Sequence, residues 1–330
     1  MERGKNIVIL GTGGTIAGVA DQAGANVGYR AAQLEVSELL QTVPSLQRIA
    51  GQGELQVEQV AQLDSKDMDY VTWRALAQRC AELLADEEVA GIVITHGTDT
   101  LEETAWFLQC VLQPVKPVVL TCAMRPATAI SADGPGNLRD AVVCAADAQA
   151  AGRGVLAVVA GRIFTAREVR KSHPYRVDAF EGTDSGAQGW VEEGAVRWSQ
   201  AVPHQLGLVE QPSVQALPDP QTWPLVEMLT SHAGYNNVVA MTLLKAWHAV
   251  GVRGVVVAGT GNGTVHQARI PALDWAQDQG IFVRLTTRCE QGQVVQAAGV
   301  TDPLVSTLPA VKARISVMLE LMGWPRTDRC

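Results

Sequence analysis

The sequence predicts an α/β protein of two domains: a larger N-terminal domain on a parallel sheet and a smaller C-terminal α/β domain. Three observations carry this. Apolar runs of strand length alternate with helix-period segments from the first residues onward. The alternation stops between Ser199 and Pro224, where Pro203, Pro212, Pro218, Pro220 and Pro224 fall without helical period. It then resumes. At 330 residues the chain is long enough for two cores. The expected boundaries are 1–200, a linker over 201–224, and 225–330.

Asn6–Leu10 reads as a buried strand, and Val36, Leu39, Leu40 and Val43 mark a short helix ending at Pro44. The segment Gly18–Gly28 shows neither period and reads as a flexible lid. Leu55–Leu63 is a strand. Trp73, Leu76, Ala77, Cys80 and Leu84 share one helical face, with Asp67 or Asp69 as N-cap. Val89–Thr95 is a strand, and Thr100 with Glu103 forms a capping-box pattern before the next helix. Pro117–Thr121 and Gly154–Ala160 read as strands around an alanine-rich helix over Asn137–Ala151 closed by Gly152. In the second domain, strands are expected at Leu225–Leu229, Val255–Ala258 and Ile281–Leu285. Helices are expected near Val238–Val250, Gln267–Gln279 and Pro309–Met322.

A hydrophobic content of 47% with 18% charged residues belongs to a packed chain, not a disordered one. The net charge of −8, with no large Lys/Arg cluster, argues against a nucleic-acid surface. The densest basic group is Arg167, Arg170 and Lys171, the usual pattern of a solvated loop. No window approaches a membrane span. The six cysteines show no metal-ligand spacing and mostly sit in apolar segments, as reduced thiols do. The N-terminus lacks the pattern of a secretory signal, so the expected location is the cytoplasm.

Two segments carry chemistry. Gly11-Thr12-Gly13-Gly14-Thr15-Ile16-Ala17-Gly18 and His96-Gly97-Thr98-Asp99-Thr100 each follow a buried strand. Both therefore set hydroxyls at the carboxyl end of a strand, where open α/β sheets hold ligands. The first misses the dinucleotide fingerprint, since Ile16 stands where the last glycine belongs, and it lacks the lysine of a P-loop. Taken alone it is also a plain glycine turn. Thr98-Asp99 alone is also an ordinary helix cap, and His96 alone a hydrogen-bonded structural histidine.

Together these segments resemble the two signatures of bacterial-type L-asparaginases. The likeness continues through Asp64-Ser65-Lys66-Asp67-Met68, Ala123-Met124-Arg125-Pro126, Ser131-Ala132-Asp133-Gly134-Pro135 with Asn137-Leu138, and Gly259-Thr260-Gly261-Asn262-Gly263. It spans roughly residues 5–325. The resemblance implies hydrolysis of L-asparagine to L-aspartate and ammonia through a threonine ester. Thr15 is the implied nucleophile, with Tyr29 on a mobile loop beside it. Thr98, Asp99 and Lys171 form the implied proton-exchanging set. Gly14, Ser65, Gly97, Thr98, Asp99 and Ala123 would line the substrate, with Ser65 on its α-carboxylate and Asp99 on its α-amino group. Lys171 is identified only through its match in Arg167-Glu168-Val169-Arg170-Lys171.

The resemblance further implies a homotetramer built as a dimer of dimers, and no metal or organic cofactor. Lys66 departs from the family pattern, which often has Gln or Glu there, and is expected to point outward. Thr287-Arg288-Cys289-Glu290-Gln291-Gly292 resembles cytoplasmic-type members, and the family's second-subunit carboxylate has no match. Three alternatives stay open. A glutaminase-asparaginase differs by one methylene of substrate, worth only about 1–3 kcal/mol. The others are an amidotransferase subunit, which usually carries an extra N-terminal domain, and a non-catalytic amino-acid-binding protein.

Overall fold

The computed structural model describes residues 5–22, 24–43, 46–49, 53–201 and 210–327. The expectations placed on 1–4, Pro44, Pro203 and Cys330 lie outside the described residues. The chain divides into two compact units, 1–208 and 209–330.

In the first unit the strands are β1 (Asn6–Gly13), β2 (Val19–Ala20), β3 (Tyr29–Arg30), β4 (Leu55–Leu63), β5 (Val89–Thr95), β6 (Val118–Thr121), β7 (Val155–Val159), β8 (Arg162–Thr165), β9 (Val169–Lys171), β10 (Phe180–Gly182), β11 (Gly189–Glu192) and β12 (Ala195–Trp198). Its helices are α1 (Val36–Gln41), α2 (Leu46–Ile49), α3 (Tyr70–Ala85), α4 (Leu101–Leu112) and α5 (Gly134–Ala146). The main sheet runs β12-β11-β8-β7-β6-β5-β1-β4. Strands β4 through β7 and β1 are mutually parallel. From β8 outward the pairing is antiparallel, so the sheet is mixed rather than wholly parallel. These antiparallel strands carry a weak pattern: β12 alternates exposed and half-buried residues, and β8, β11 and β12 do not read as strands in the sequence.

Both faces of the parallel part are covered, which is why its strands read as unbroken apolar runs. Ile7, Ile9, Val93, Val119, Leu156 and Val158 pack with Leu138, Ala141, Val142 and Ala145 of α5. Strand residues alternate faces, and α3 and α4 lie against the other side. There Trp73 stacks on Phe107 at 4.9 Å between ring centres, and its indole N–H donates to Thr104 Oγ1 at 2.9 Å. Each such buried side chain contributes about 1.5–3 kcal/mol.

The helix ends match expectation at α3 and depart from it at α4 and α5. Asp69 caps α3, accepting the Thr72 N–H at 2.7 Å. The Asn137–Ala151 helix starts earlier, at Gly134, and ends at Ala146, because Asp147 turns extended and caps a separate short turn over Ala148–Ala150. The capping box at Thr100 does not form: no side-chain cap bond is present, and the Thr100 hydroxyl donates instead to the Ser65 carbonyl at 2.8 Å. Tertiary bonding has taken the group that local capping would have used.

The second unit holds a parallel three-stranded sheet, β13 (Leu225–Thr230), β14 (Val252–Gly259) and β15 (Phe282–Thr287), in that order. Helices α6 (Asn237–Ala249) and α7 (Ile270–Asp278) cover one face through Ala240, Leu244, Ala272 and Ala276. Helix α8 (Ala310–Leu321) packs on the opposite face, where Gly254 leaves room for Val317. Of the expected linker, 202–209 lies outside the described residues. The remainder carries two short 3₁₀ turns, Val214–Ala216 and Pro220–Thr222. Among the described residues no helix is long and apolar enough to cross a membrane.

Candidate active site

Strands β1 and β5 lie side by side, with Leu10 opposite Ile94 and Gly11 opposite Thr95. The chain leaves β1 for β4 on one side and leaves β5 for β6 on the other. Crossovers that part in opposite directions open a crevice at the carboxyl ends, the usual ligand position of such sheets. Both chemistry-bearing segments emerge there.

The glycines let them meet. Gly13 and Gly14 hold φ values of 101° and 82°, in the left-handed region that L side chains avoid. A methyl group at Gly14 would fall on the Gly97 backbone, and one at Gly97 would strike the Ser65 hydroxyl. Three chain segments therefore touch backbone to backbone. The turn also separates two threonines that look alike in sequence. Thr12 is fully buried and donates to the Thr95 carbonyl at 2.9 Å. Thr15, on the short turn Thr15–Ala17, has its hydroxyl 2.7 Å from that of Tyr29.

Tyr29 arrives on a hairpin, where the sequence suggested no regular structure. β2 and β3 pair antiparallel, Val19 with Arg30 and Ala20 with Tyr29. The hairpin is tied down by Ala20 N–H to Thr128 Oγ1 at 2.9 Å and Ala127 N–H to the Gly18 carbonyl at 2.9 Å.

The second constellation is held on three elements. Thr98 and Asp99 sit between β5 and α4, and Lys171 ends β9. The Lys171 ammonium donates to Thr98 Oγ1 at 2.8 Å and to Asp99 Oδ1 at 2.6 Å. Thr98 Oγ1 lies 3.4 Å from the same carboxylate oxygen. The Lys171 side chain is only 18% exposed, so this basic residue is not a solvated loop lysine. Charge-assisted bonds of this length are the strong ones.

Ser65 joins the Asp64–Met68 segment to this set. It is buried, and its hydroxyl accepts the Asp99 N–H at 3.1 Å. Lys66 points outward, 61% exposed, and pairs with Asp64 at 2.6 Å and Asp67 at 3.4 Å. Both carboxylates raise its pKa, the hydrogen bond to Asp64 most. Ala123 is buried beside Gly134 and Ile16, which links the block of residues 123–138 to the Thr15 turn. Asp133 holds that block, accepting the Met124 and Arg125 N–H groups at 2.9 and 3.0 Å.

His96 has no exposure to water. Its Nδ1 lies 2.8 Å from the Gly97 carbonyl. A carbonyl only accepts, so the proton resides on Nδ1. Nε2 is buried and without a hydrogen-bond partner among the described residues. Burial pushes the imidazole pKa down to about 4, against the opposing pull of the Gly97 bond. The ring is therefore neutral at physiological pH and serves as structure, not as a base.

Sequence reading overlooked several supporting residues. Thr100 ties α4 to Ser65, and Thr128 latches the Tyr29 hairpin. Glu102 accepts the Lys171 backbone N–H at 3.3 Å. Each uses an ordinary polar side chain whose partner lies far along the chain, so no local pattern flags it. The loop Gly259–Gly263 lies in the second unit, where Asn262 exchanges two 2.8 Å hydrogen bonds with the Val295 backbone. Among the described residues no group of three or more His, Cys, Asp or Glu is arranged to hold a metal ion.

Both halves of the chain have relatives among known proteins. Residues 6–204 match the family model "Asparaginase, N-terminal", and residues 225–323 match "Glutaminase/Asparaginase C-terminal domain". The chain is 36% identical over 322 residues to a "Probable L-asparaginase periplasmic" of Haemophilus influenzae, covering 96% of this chain and 88% of the relative. It is 38% identical to the "Glutaminase-asparaginase" of Pseudomonas fluorescens biotype A, over 88% of this chain and 77% of the relative. The crystal structure of a "Probable Cytoplasmic L-asparaginase" from Campylobacter jejuni superposes with a TM-score of 0.85. It is 35% identical, covering 98% of this chain and 97% of the other. With both halves matched in order and relatives above one-third identity over nearly the whole length, the chain belongs to the asparaginase family.

Proposed function

We propose that this protein hydrolyses L-asparagine to L-aspartate and ammonia, with Thr15 as nucleophile. The observation that carries the reading is the meeting of two hydroxyl systems at one crevice: Thr15 against Tyr29, and Thr98 against Lys171 and Asp99. A hydroxyl becomes a nucleophile when a neighbour takes its proton. Thr15 Oγ1 attacks the side-chain amide carbon as its proton passes to the Tyr29 oxygen, and Tyr29 gives its own proton on towards the departing amide nitrogen. The tetrahedral oxyanion is stabilised by backbone N–H groups of the glycine turn. The C–N bond then breaks, the leaving nitrogen gains a proton, and ammonia departs from a β-aspartyl ester of Thr15. Water adds to the ester carbonyl beside Thr98 and Lys171, the ester C–O bond breaks, and a water proton returns to Thr15 Oγ1 through Tyr29, releasing aspartate and restoring the hydroxyl.

Ser65 and Asp99 are assigned to the substrate's α-carboxylate and α-amino group. Glutamine is the second reading, favoured by a relative named glutaminase-asparaginase. The test is ammonia release from L-asparagine and L-glutamine by wild type and Thr15→Ala. Asparagine turnover should fall by on the order of a thousandfold or more in the variant. Equal turnover of both amides by wild type would make the protein a glutaminase-asparaginase. Wild-type silence on both would overturn the reading in favour of a binding role. A homotetramer is part of the proposal, to be read by sedimentation. So is a cytoplasmic location, although relatives carry both cytoplasmic and periplasmic names.

A further inference from the structure

Lys171 reaches Thr98 and Asp99 from a short segment held at Lys171 by Glu102, which accepts its N–H at 3.3 Å, and at Phe180 by Arg162, which donates to its carbonyl at 2.8 Å. Strands β9 and β10 form a two-stranded ribbon outside the main sheet, three residues on each side, with Lys171 opposite Phe180 and Val169 opposite Gly182. A ribbon of this size has marginal stability alone. Val169 and Phe180 are fully buried, which fixes its depth. A further restraint on its register, and so on the height of Lys171, sits at the end remote from the hairpin tip.

Glu168 occupies that end, only 8% exposed. One of its oxygens, Oε2, accepts three donors: Thr183 Oγ1 at 2.6 Å, Asp184 N–H at 2.9 Å and Ser185 N–H at 3.2 Å. Its backbone carbonyl accepts the Thr183 N–H at 3.2 Å. Burial works against a charge there, but these donors and the neighbouring Arg167 outweigh it and hold the carboxyl below its usual range. None of these contacts touches the reacting groups.

We propose that Glu168 is a positioning residue that sets Lys171 in place, by clamping the base of the β9–β10 ribbon through Thr183, Asp184 and Ser185. The clamp lies three residues from Lys171 along an extended strand, and the Lys171 bonds of 2.6 and 2.8 Å leave no slack. A misplacement of about 1 Å at such a group can cost on the order of 10²-fold in rate. The kinetic part of this proposal rests on the amide-hydrolase reading above; the placement of Lys171 does not.

The test uses Glu168→Gln and, as a milder change, Thr183→Val, each in wild type and in Lys171→Met. Two readouts are taken: kcat and KM on L-asparagine, and the acetylation rate of Lys171 by N-hydroxysuccinimidyl acetate, followed by mass spectrometry. Glu168→Gln should lower kcat roughly ten- to a hundredfold with KM within about twofold. In the Lys171→Met background it should cost nothing further, and Lys171 acetylation should quicken several-fold. Thr183→Val should move both readouts in the same direction by less. An undiminished kcat with unchanged labelling would overturn the proposal. So would an equal loss with and without Lys171, the signature of general destabilisation. If wild type hydrolyses neither amide, the functional reading fails, and the labelling rates alone decide whether Glu168 places Lys171.

Discussion

His96 shows how one buried side chain couples the site to pH. In the folded protein its pKa falls from the ordinary 6.5 to about 4, chiefly through burial. Between those values the unfolded chain binds a proton that the folded chain does not, so stability declines as the pH drops. The contribution is fully present above about pH 6.5 and lost towards about pH 4, and it amounts to on the order of 3 kcal/mol. Urea midpoints at pH 4.5 and 7 should therefore differ more for wild type than for His96→Gln. Gln keeps an N–H for the Gly97 carbonyl but does not titrate. An equal acid sensitivity in the two proteins would mean that His96 is not held neutral. Thr15 and Thr12 make the complementary point. Three residues apart in one glycine-rich run, they differ because one hydroxyl is consumed by Thr95 and the other faces Tyr29.

Among the elements, the glycine turn after β1 bears the tightest constraint. At Gly14 both the backbone angle and the space exclude a side chain: φ is 82°, and a methyl would overlap Gly97. Gly14→Ala should destabilise by at least about 1–3 kcal/mol from backbone strain alone. It should also push β1 and β5 apart at their carboxyl ends, so kcat should fall along with the melting temperature. Calorimetry beside the ammonia assay checks both; a normal melting temperature would contradict the packing described. The β2–β3 hairpin illustrates the reverse case, where local pattern is silent. Two residue pairs suffice to aim Tyr29, and their anchors, Thr128 and the Ala127 N–H, come from more than a hundred residues away. No period in Gly18–Gly28 could announce them.

For the whole molecule, each unit has a core of its own, and charge is buried in the second as well as the first. Arg284 is 2% exposed and pairs with Glu320, 14% exposed, at 2.7 Å, joining β15 to α8. Removing one partner of a buried pair strands the other charge and typically costs about 3–5 kcal/mol. Glu320→Ala should therefore shift the urea transition strongly, whereas Arg197→Ala, which breaks an exposed pair with Glu192, should cost at most about 1 kcal/mol. Similar losses from both would show that burial does not govern these pairs.

The amino-acid sequence already specified the two-domain α/β plan, because buried parallel strands must be apolar on both faces and so print continuous runs such as Val89–Thr95. It also determined the two chemistry-bearing turns, since hydroxyls and glycines at strand ends are legible without neighbours. Lys171 came only through family resemblance; by composition it was one more basic residue on a loop. The tertiary structure alone decided that β1 abuts β5, that Lys171 bridges to Thr98 across 73 residues of chain, and that Thr100 bonds Ser65 instead of capping its helix. It decided the antiparallel edge too. Contacts of that kind depend on which distant groups compete for the same donor or acceptor, and that competition exists only once the chain has closed on itself.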